Sequence, residues 1–244
     1  MKTPKNVIEK PSIQAAHYLP FIRKIKLLVG VKVIRHISRR KQLKSQTAAP
    51  KDQINRHVKV IAIASSLGGA RVLEIILSQL SADFPVPIII AQHISEGFAE
   101  ALADWLDHKT PLTVKVASQA EPLAAGKVFI APPEYNAQVT INGTIELSPF
   151  FPGQIYHPSC DRLLSSIAHK YREAAVGIIL TGMGQDGVNG MQAIKAAGGI
   201  TIAQNEQTSL IYNMPRLVIE SGLADYIAAA NDISSILTKV IGYG

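Results

Sequence analysis

Three apolar runs in this sequence each lead into a side chain suited to proton transfer or nucleophilic attack. His57-Val-Lys-Val-Ile-Ala-Ile-Ala64 precedes Ser65-Ser66-Leu67-Gly68-Gly69, Pro87-Ile-Ile-Ile-Ala-Gln92 precedes His93, and the run from Val176 leads through Thr181-Gly-Met-Gly-Gln185 to Asp186. A hydroxyl at the end of a buried strand, with glycines just beyond it, sits on a tight strand-to-helix turn. Such a turn projects Oγ from the sheet edge and lets backbone come close to a ligand. Serine is a poor nucleophile until an imidazole takes its proton, and the imidazole is oriented by a carboxylate on its other nitrogen. Ser66, His93 and Asp186 are therefore the candidate nucleophile, base and orienting acid of a hydrolase. Ser65 is the rival nucleophile; Ser66, nearer the glycines, is favoured.

The stretch from Thr181 to Gly187 holds three glycines in seven positions. Its exposed N–H groups, placed near Ser66, would form an oxyanion hole, and the amides of Leu67 and Met183 are the candidate donors. One such donor is typically worth about 2.7–4 kcal/mol in the transition state. A plain phosphate-binding nest is the competing use of such a loop. Neither glycine turn is a cofactor motif: Ser66-Leu-Gly-Gly69 lacks a P-loop lysine, and no G-x-G-x-x-G opens a helix. No cofactor and no metal are expected. The order Ser, His, Asp differs from that of the α/β-hydrolases, and Ala64 stands where G-x-S-x-G needs its first glycine. His157 reads as a loop residue with a possible supporting role. Asp161 reads as a helix-start residue, and Cys160, the sole cysteine, as a small buried filler.

Open α/β sheets bind ligands outside the carboxyl ends of their strands, so the elements matter as much as the residues. From His57 onward, strand-like and helix-like segments alternate. Strands are expected at 57–64, 87–92, 112–117, 127–131, 136–148 (broken by a hairpin at Asn142-Gly143), 175–181 and 200–204. Helices are expected near 69–81, 96–107, 160–172, 187–197, 215–221 and 231–241. The pattern specifies an α/β fold: a doubly wound, mostly parallel sheet with helices on both faces and an antiparallel hairpin excursion.

Residues 1–56 read as a separate basic leader or linker, and 57–244 as the catalytic domain. Residues 1–60 carry 15 Lys/Arg against 2 Asp/Glu, whereas residues 61–244 carry 10 against 16. The formal net charge of +7 therefore describes a basic leader on a mildly acidic body. It does not point to a nucleic-acid-binding body, and no nucleic-acid partner is expected. With one cysteine there is no disulfide framework. No apolar run is long enough to span a membrane, and no signal peptide is evident. A cytoplasmic location is the default expectation.

Taken together, Ile63-Ala-Ser-Ser66-Leu-Gly-Gly69, Gln92-His93, Ile130-Ala-Pro132, Pro158-Ser-Cys-Asp161, Leu180-Thr-Gly-Met-Gly-Gln-Asp-Gly187, Ala203-Gln204 with Glu206, and Asn213-Met-Pro-Arg216 resemble the catalytic domain of the chemotaxis protein-glutamate methylesterases, the CheB family. The resemblance spans about residues 58–241 and aligns the family's nucleophile with Ser66, its base with His93 and its carboxylate with Asp186. It implies hydrolysis of γ-glutamyl methyl esters on the cytoplasmic helices of methyl-accepting chemoreceptors, with deamidation of receptor glutamines as a related activity. It also makes Gly68, Gly182, Gly184, Met214 and Arg216 candidate substrate-binding positions. Other implied partners are a methyltransferase or a separate regulator. Departures from the family pattern are Leu67 in place of Thr after the nucleophile, and Tyr135 in place of His. The receiver domain that usually precedes the linker is not expected in residues 1–56, which resemble the interdomain linker instead. An esterase not unmasked by phosphorylation is the resulting expectation; an inactive signalling or scaffold module of the same fold is the alternative.

Overall fold

A computed structural model describes residues 57–243, so the readings made above for residues 1–56 fall outside the described residues. The elements in chain order are β1 (Val60–Ser65), α1 (Gly69–Leu77), β2 (Ile88–Gln92), α2 (Ala99–Lys109), β3 (Thr113–Val116), β4 (Lys127–Ile130), β5 (Asn136–Val139) and β6 (Ile145–Ser148). There follow α3 (Cys160–Tyr171), a 3₁₀ turn (Arg172–Ala174), β7 (Ala175–Ile179), α4 (Val188–Ala196), β8 (Ile200–Gln204), α5 (Met214–Glu220), β9 (Tyr226–Ala228) and α6 (Ala230–Ile241). Seven strands form one sheet in the order β3-β4-β2-β1-β7-β8-β9, every neighbouring pair parallel. β5 and β6 pair antiparallel as a separate hairpin across Asn142-Gly143.

The near-continuous apolar strands follow from burial on both faces. Ile61, Ile63, Ile88, Ile90, Val176 and Ile178 point to one face, where α1, α2 and α6 pack through Leu73, Leu106 and Leu237 among others. Val60, Ala62, Ala64, Ile89, Ala91 and Ile179 point to the other, toward α3, α4, α5 and the hairpin. The two faces differ in bulk. Alanines on β1 and β2 let α3 approach the sheet closely, and Gly177 of β7 does the same for α4: a Cβ there would meet Met191 Sδ at 3.0 Å. Helices α3 and α4 also press together at Gly190, where a Cβ would fall against Cβ of Leu164 and 3.2 Å from the carbonyl of Asp161.

Several boundaries differ from the sequence expectation. The first helix ends at Leu77 rather than near 81, and the strand expected over 175–181 ends at Ile179. Beyond Ile179 the chain keeps its bonds to Ala64 and Ser66, but on the other side the Thr181 amide bonds the Gln204 side chain instead of β8 backbone. β9 was not expected at all: at three residues, with Ile227 half-exposed on an edge strand, it leaves no apolar run to detect.

β1 pairs with β2 on one side and β7 on the other. The chain first builds outward through β2, then crosses to begin again at β7, so the connections leaving β1 and β7 run in opposite directions. This is the topological switch point at which doubly wound sheets open a crevice.

Gly190→Val is expected to destabilise the protein by about 1–3 kcal/mol, because overpacking forces α3 and α4 apart. Chemical denaturation measures it; an unchanged midpoint would mean the interface is looser than the contact at Leu164 requires.

Candidate active site

The carboxyl ends of β2, β1 and β7 deliver His93, Ser66 and the loop to Asp186 to one edge. Hydrogen bonds at the strand ends fix that edge. Ser65, fully buried, donates from Oγ to Oε1 of Gln92 at 2.6 Å. The Gln92 amide nitrogen donates in turn to the carbonyls of Ser66 and His93, each at 2.8 Å. One side chain thus clamps the turns bearing the candidate nucleophile and base. A Cβ at residue 69 would collide with Gln92 Oε1 and lie 2.8 Å from Ser65 Oγ, so Gly69 is a requirement of this clamp. Gln204, ending β8, works in parallel: its Oε1 accepts from the Thr181 amide at 2.8 Å and its Nε2 donates to the Thr208 carbonyl at 2.8 Å. Thr181 Oγ1 donates to the Leu67 carbonyl at 3.0 Å, tying the two glycine turns together.

Asp186 is buried and fully engaged. Its Oδ2 accepts from His93 Nε2 at 2.8 Å and from the Cys160 amide at 2.6 Å; its Oδ1 accepts from the Asp161 amide at 2.9 Å and Ser159 Oγ at 3.2 Å. The carboxylate therefore sits on the N-terminus of α3, where free N–H groups and the helix dipole favour negative charge. Burial pushes its carboxyl up, but the bonds from His93, Asp161 and Cys160 outweigh this and hold it below the ordinary value. Because an ionised carboxylate only accepts, Nε2 of His93 must carry the proton in this pair, and Nδ1 is left as the basic nitrogen. The imidazole stacks on Tyr156, with centroids 5.2 Å apart and planes 12° from parallel.

Ser66 and His93 line the same open cavity of about 920 Å³, together with Tyr156, His157, Met183 and Asn213. No hydrogen bond joins Ser66 Oγ to the His93 ring among the described residues; such contacts are often long before substrate binds. The turn at Ser66 is set by Gly68, which has φ +85° and opens α1, and by Gly182, where a Cβ would lie 2.6 Å from that of Ser66. In the second turn the Gly182 amide donates to the Ile211 carbonyl and the Gly184 amide to Asn213 Oδ1. Among the described residues, the Met183 and Leu67 amides have no acceptor. Both side chains are well exposed, at 70% and 58%.

Other expectations meet the structure differently. Met214 is fully buried, packed behind Gly182, and Arg216 pairs with Glu220 on the outer face of α5; neither lines the cavity. Gly184 borders the cavity, and with φ +101° and a Cβ that would meet the Tyr156 hydroxyl at 2.6 Å only glycine suits it; Gly68, at φ +85°, does not border the cavity and serves the backbone path. His157 does line the cavity, with Nε2 3.1 Å from the Gln154 carbonyl and its ring against Phe150. Tyr135 is exposed and does not. Asp161 is a cap, but of a different helix: α3 is capped by Ser159, while Asp161 Oδ1 accepts from the amides of Gly187 and Gly190 at the start of α4. Cys160 is more than filler. Its Sγ lies 3.3 Å from His93 Nε2 and 3.4 Å from the Ala91 carbonyl, and burial pushes the thiol well up, keeping it protonated. His93, Cys160 and Asp186 place ligand-type atoms within 4.8 Å of one another. The sequence offered no signal for that contact, which depends on how closely α3 approaches β2.

The imidazole of the His93–Asp186 pair and Ser66 border one cavity at the switch point of a doubly wound sheet. The CheB methylesterase family model matches residues 61–237, and the chain belongs to that family. It is 40% identical over 238 residues to protein-glutamate methylesterase/protein-glutamine glutaminase 2 of Anaeromyxobacter dehalogenans, covering 96% of this chain and 68% of the relative. It is 36% identical over 241 residues to protein-glutamate methylesterase FrzG of Myxococcus xanthus, covering 96% and 70%. These matches take in residues ahead of 57 as well as the described ones. The crystal structure of the Thermotoga maritima CheB methylesterase catalytic domain superposes with a TM-score of 0.71 at 37% identity, over 76% of this chain and 98% of that one. No helix among the described residues is long and apolar enough to cross a membrane.

The lowered Asp186 carboxyl has a consequence for stability. Its contribution is fully present above the unfolded value of 3.8 and is lost as pH falls through the lower folded value. Asp161, raised chiefly by burial, has the opposite sign: its ionisation weakens the fold as pH rises through its elevated value. Urea unfolding across acidic pH should therefore show a shallower loss of stability below 3.8 in Asp186→Asn than in the wild type. Equal slopes would contradict the assignment of the shift to this carboxylate.

Proposed function

We propose that this protein is a serine esterase that removes methyl groups from glutamate γ-methyl esters of chemoreceptors, with deamidation of receptor glutamines as a second activity of the same site. The observation that carries the reading is the 2.8 Å bond between His93 Nε2 and Asp186 Oδ2, beside a serine lining the same cavity as the imidazole. Kinship with the glutamate methylesterases supplies the substrate class.

In this mechanism Ser66 Oγ attacks the γ-carbonyl carbon while His93 Nδ1 accepts its proton. Asp186 stabilises the imidazolium through Nε2–H without taking the proton itself. The order of nitrogens is the reverse of the serine-protease template, in which Nε2 faces the serine. The chemistry is the same, since only the free lone pair acts as base. The tetrahedral oxyanion is received by the amides of Leu67 and Met183, which have no other acceptor among the described residues. Leu67 in place of Thr does not alter this role, since the backbone N–H is the donor. The imidazolium then gives its proton to the departing methoxide oxygen, releasing methanol, or to the departing amide nitrogen of a glutamine, releasing ammonia. Water, activated by the same nitrogen, releases the acyl-enzyme as a glutamate carboxylate. The large exposed side chains of Met183, which borders the cavity, and of Leu67, which follows Ser66, suit contact with a protein surface rather than a small solute.

Ser66→Ala is expected to abolish methanol release from methylated receptor membranes, and unchanged release would refute the assignment. Asp186→Asn should lower turnover by about 10⁴-fold, because the amide favours the wrong imidazole tautomer. Ser65→Ala, which breaks the clamp but not the nucleophile, should retain labelling of Ser66 by a serine-directed phosphonate. Absence of labelling in the wild type would favour the scaffold alternative.

A further inference from the structure

Next to the catalytic cavity lies a smaller one of about 310 Å³, bordered by Phe151, Gln154, Ser159, Asp161 and Arg162. The two share Ile155 and Tyr156 as a common wall, and Asp186 borders the smaller one. Arg162, on the first turn of α3, is its one cation. The Arg162 guanidinium is half-buried and lies 5.8 Å from the Phe151 ring centroid. One Nη donates to the neutral Oε1 of Gln138 at 2.8 Å, whereas Nε is buried with no hydrogen-bond partner. Arg162 makes no ion pair among the described residues.

A buried Nε–H without an acceptor, on an arginine that pairs with no carboxylate among the described residues, carries a desolvation cost that an anionic ligand would offset. The two carboxylates bordering the same cavity do not fill this role. Asp186 is committed to His93 and the start of α3, and Asp161 to the amides of Gly187 and Gly190 and the side chain of Asn189. Their negative charge also selects among ligands. With Asp161 and Asp186 set against Arg162, the net negative charge of the walls opposes a dianionic phosphate about twice as strongly as a singly charged carboxylate, and the planar fork of arginine matches a carboxylate in bidentate fashion.

We propose that Arg162 is a specificity residue that binds a carboxylate side chain of the protein substrate close to the reacting glutamyl ester. This rests on the esterase reading above. On a helical substrate, that acid lies within one turn of the ester, where side chains share a face. The enzyme would then favour a methyl ester with an acidic neighbour over one whose neighbours are neutral.

The test uses the full chain and helical peptides carrying one γ-methyl glutamate, with Glu or Gln placed at each position within a turn of it. In a Ser66→Ala background, calorimetry should show at least one Glu peptide binding about ten-fold or more tightly than its Gln counterpart. Arg162→Gln should remove that preference without weakening the Gln peptide, and Arg162→Lys should restore part of it. A preference that survives Arg162→Gln, equal weakening of both peptides, or no preference in the parent overturns the proposal. With Ser66 restored, release of methanol without preference leaves the esterase standing and removes the Arg162 site. Preferential binding without methanol release does the reverse.

Discussion

Two helices each cap the other's active end. Asp186, immediately before α4, places its carboxylate on the first amides of α3, while Asp161, on the first turn of α3, places its own on the first amides of α4. Each carboxylate satisfies backbone donors that would otherwise be buried without partners, and each meets the positive end of a helix dipole. The exchange can close only if α3 and α4 touch, which Gly190 allows, and only if both lie low on the sheet, which the alanines of β1 and β2 and Gly177 allow. Everything at the site follows from that contact. It fixes Asp186, Asp186 fixes Nε2 of His93, and the remaining ring nitrogen is left free for the role proposed for it.

The same economy governs the nucleophile side. Gln92 holds the serine and histidine turns at once, and Gln204 holds the turn that runs on to Met183. Both glutamines end a buried strand after an alanine, and both spend their whole amide on backbone or a nearby hydroxyl. The site therefore stands on polar groups with complete hydrogen bonding inside an apolar sheet, an arrangement that is rigid when satisfied and costly when broken. Among the groups left without partners in the described residues are the amides of Leu67 and Met183, which flank Ser66 and the cavity, and Nε of Arg162.

Much of this could be read along the chain. Alternating apolar runs and helical segments gave the sheet and its two layers, because burial on both faces demands such runs. Glycines beyond Ser66 and around Met183 marked the two turns, since a positive φ or a close backbone approach leaves few other choices. The motif resemblance preferred Ser66 to Ser65, and burial of Ser65 against Gln92 gives the physical ground for it. Asp161 was recognised as a cap from its place at a helix start, but local pattern assigned it to its own helix. Of the motif that nominated Met214 and Arg216, Asn213 lines the cavity, while Met214 packs behind Gly182 and Arg216 pairs with Glu220 along α5.

The sequence by itself determined the strand-end chemistry, the parallel α/β class and the family, because residue type, period and spacing are properties of the chain. Only the tertiary structure decided which nitrogen of His93 meets Asp186, that Cys160 touches the ring, that the two acids exchange helices, and that Arg162 borders a cavity without pairing with either of its carboxylates. Each of these depends on how closely elements remote in sequence approach one another. That distance is set by the size of side chains on both facing surfaces, which a linear pattern does not record.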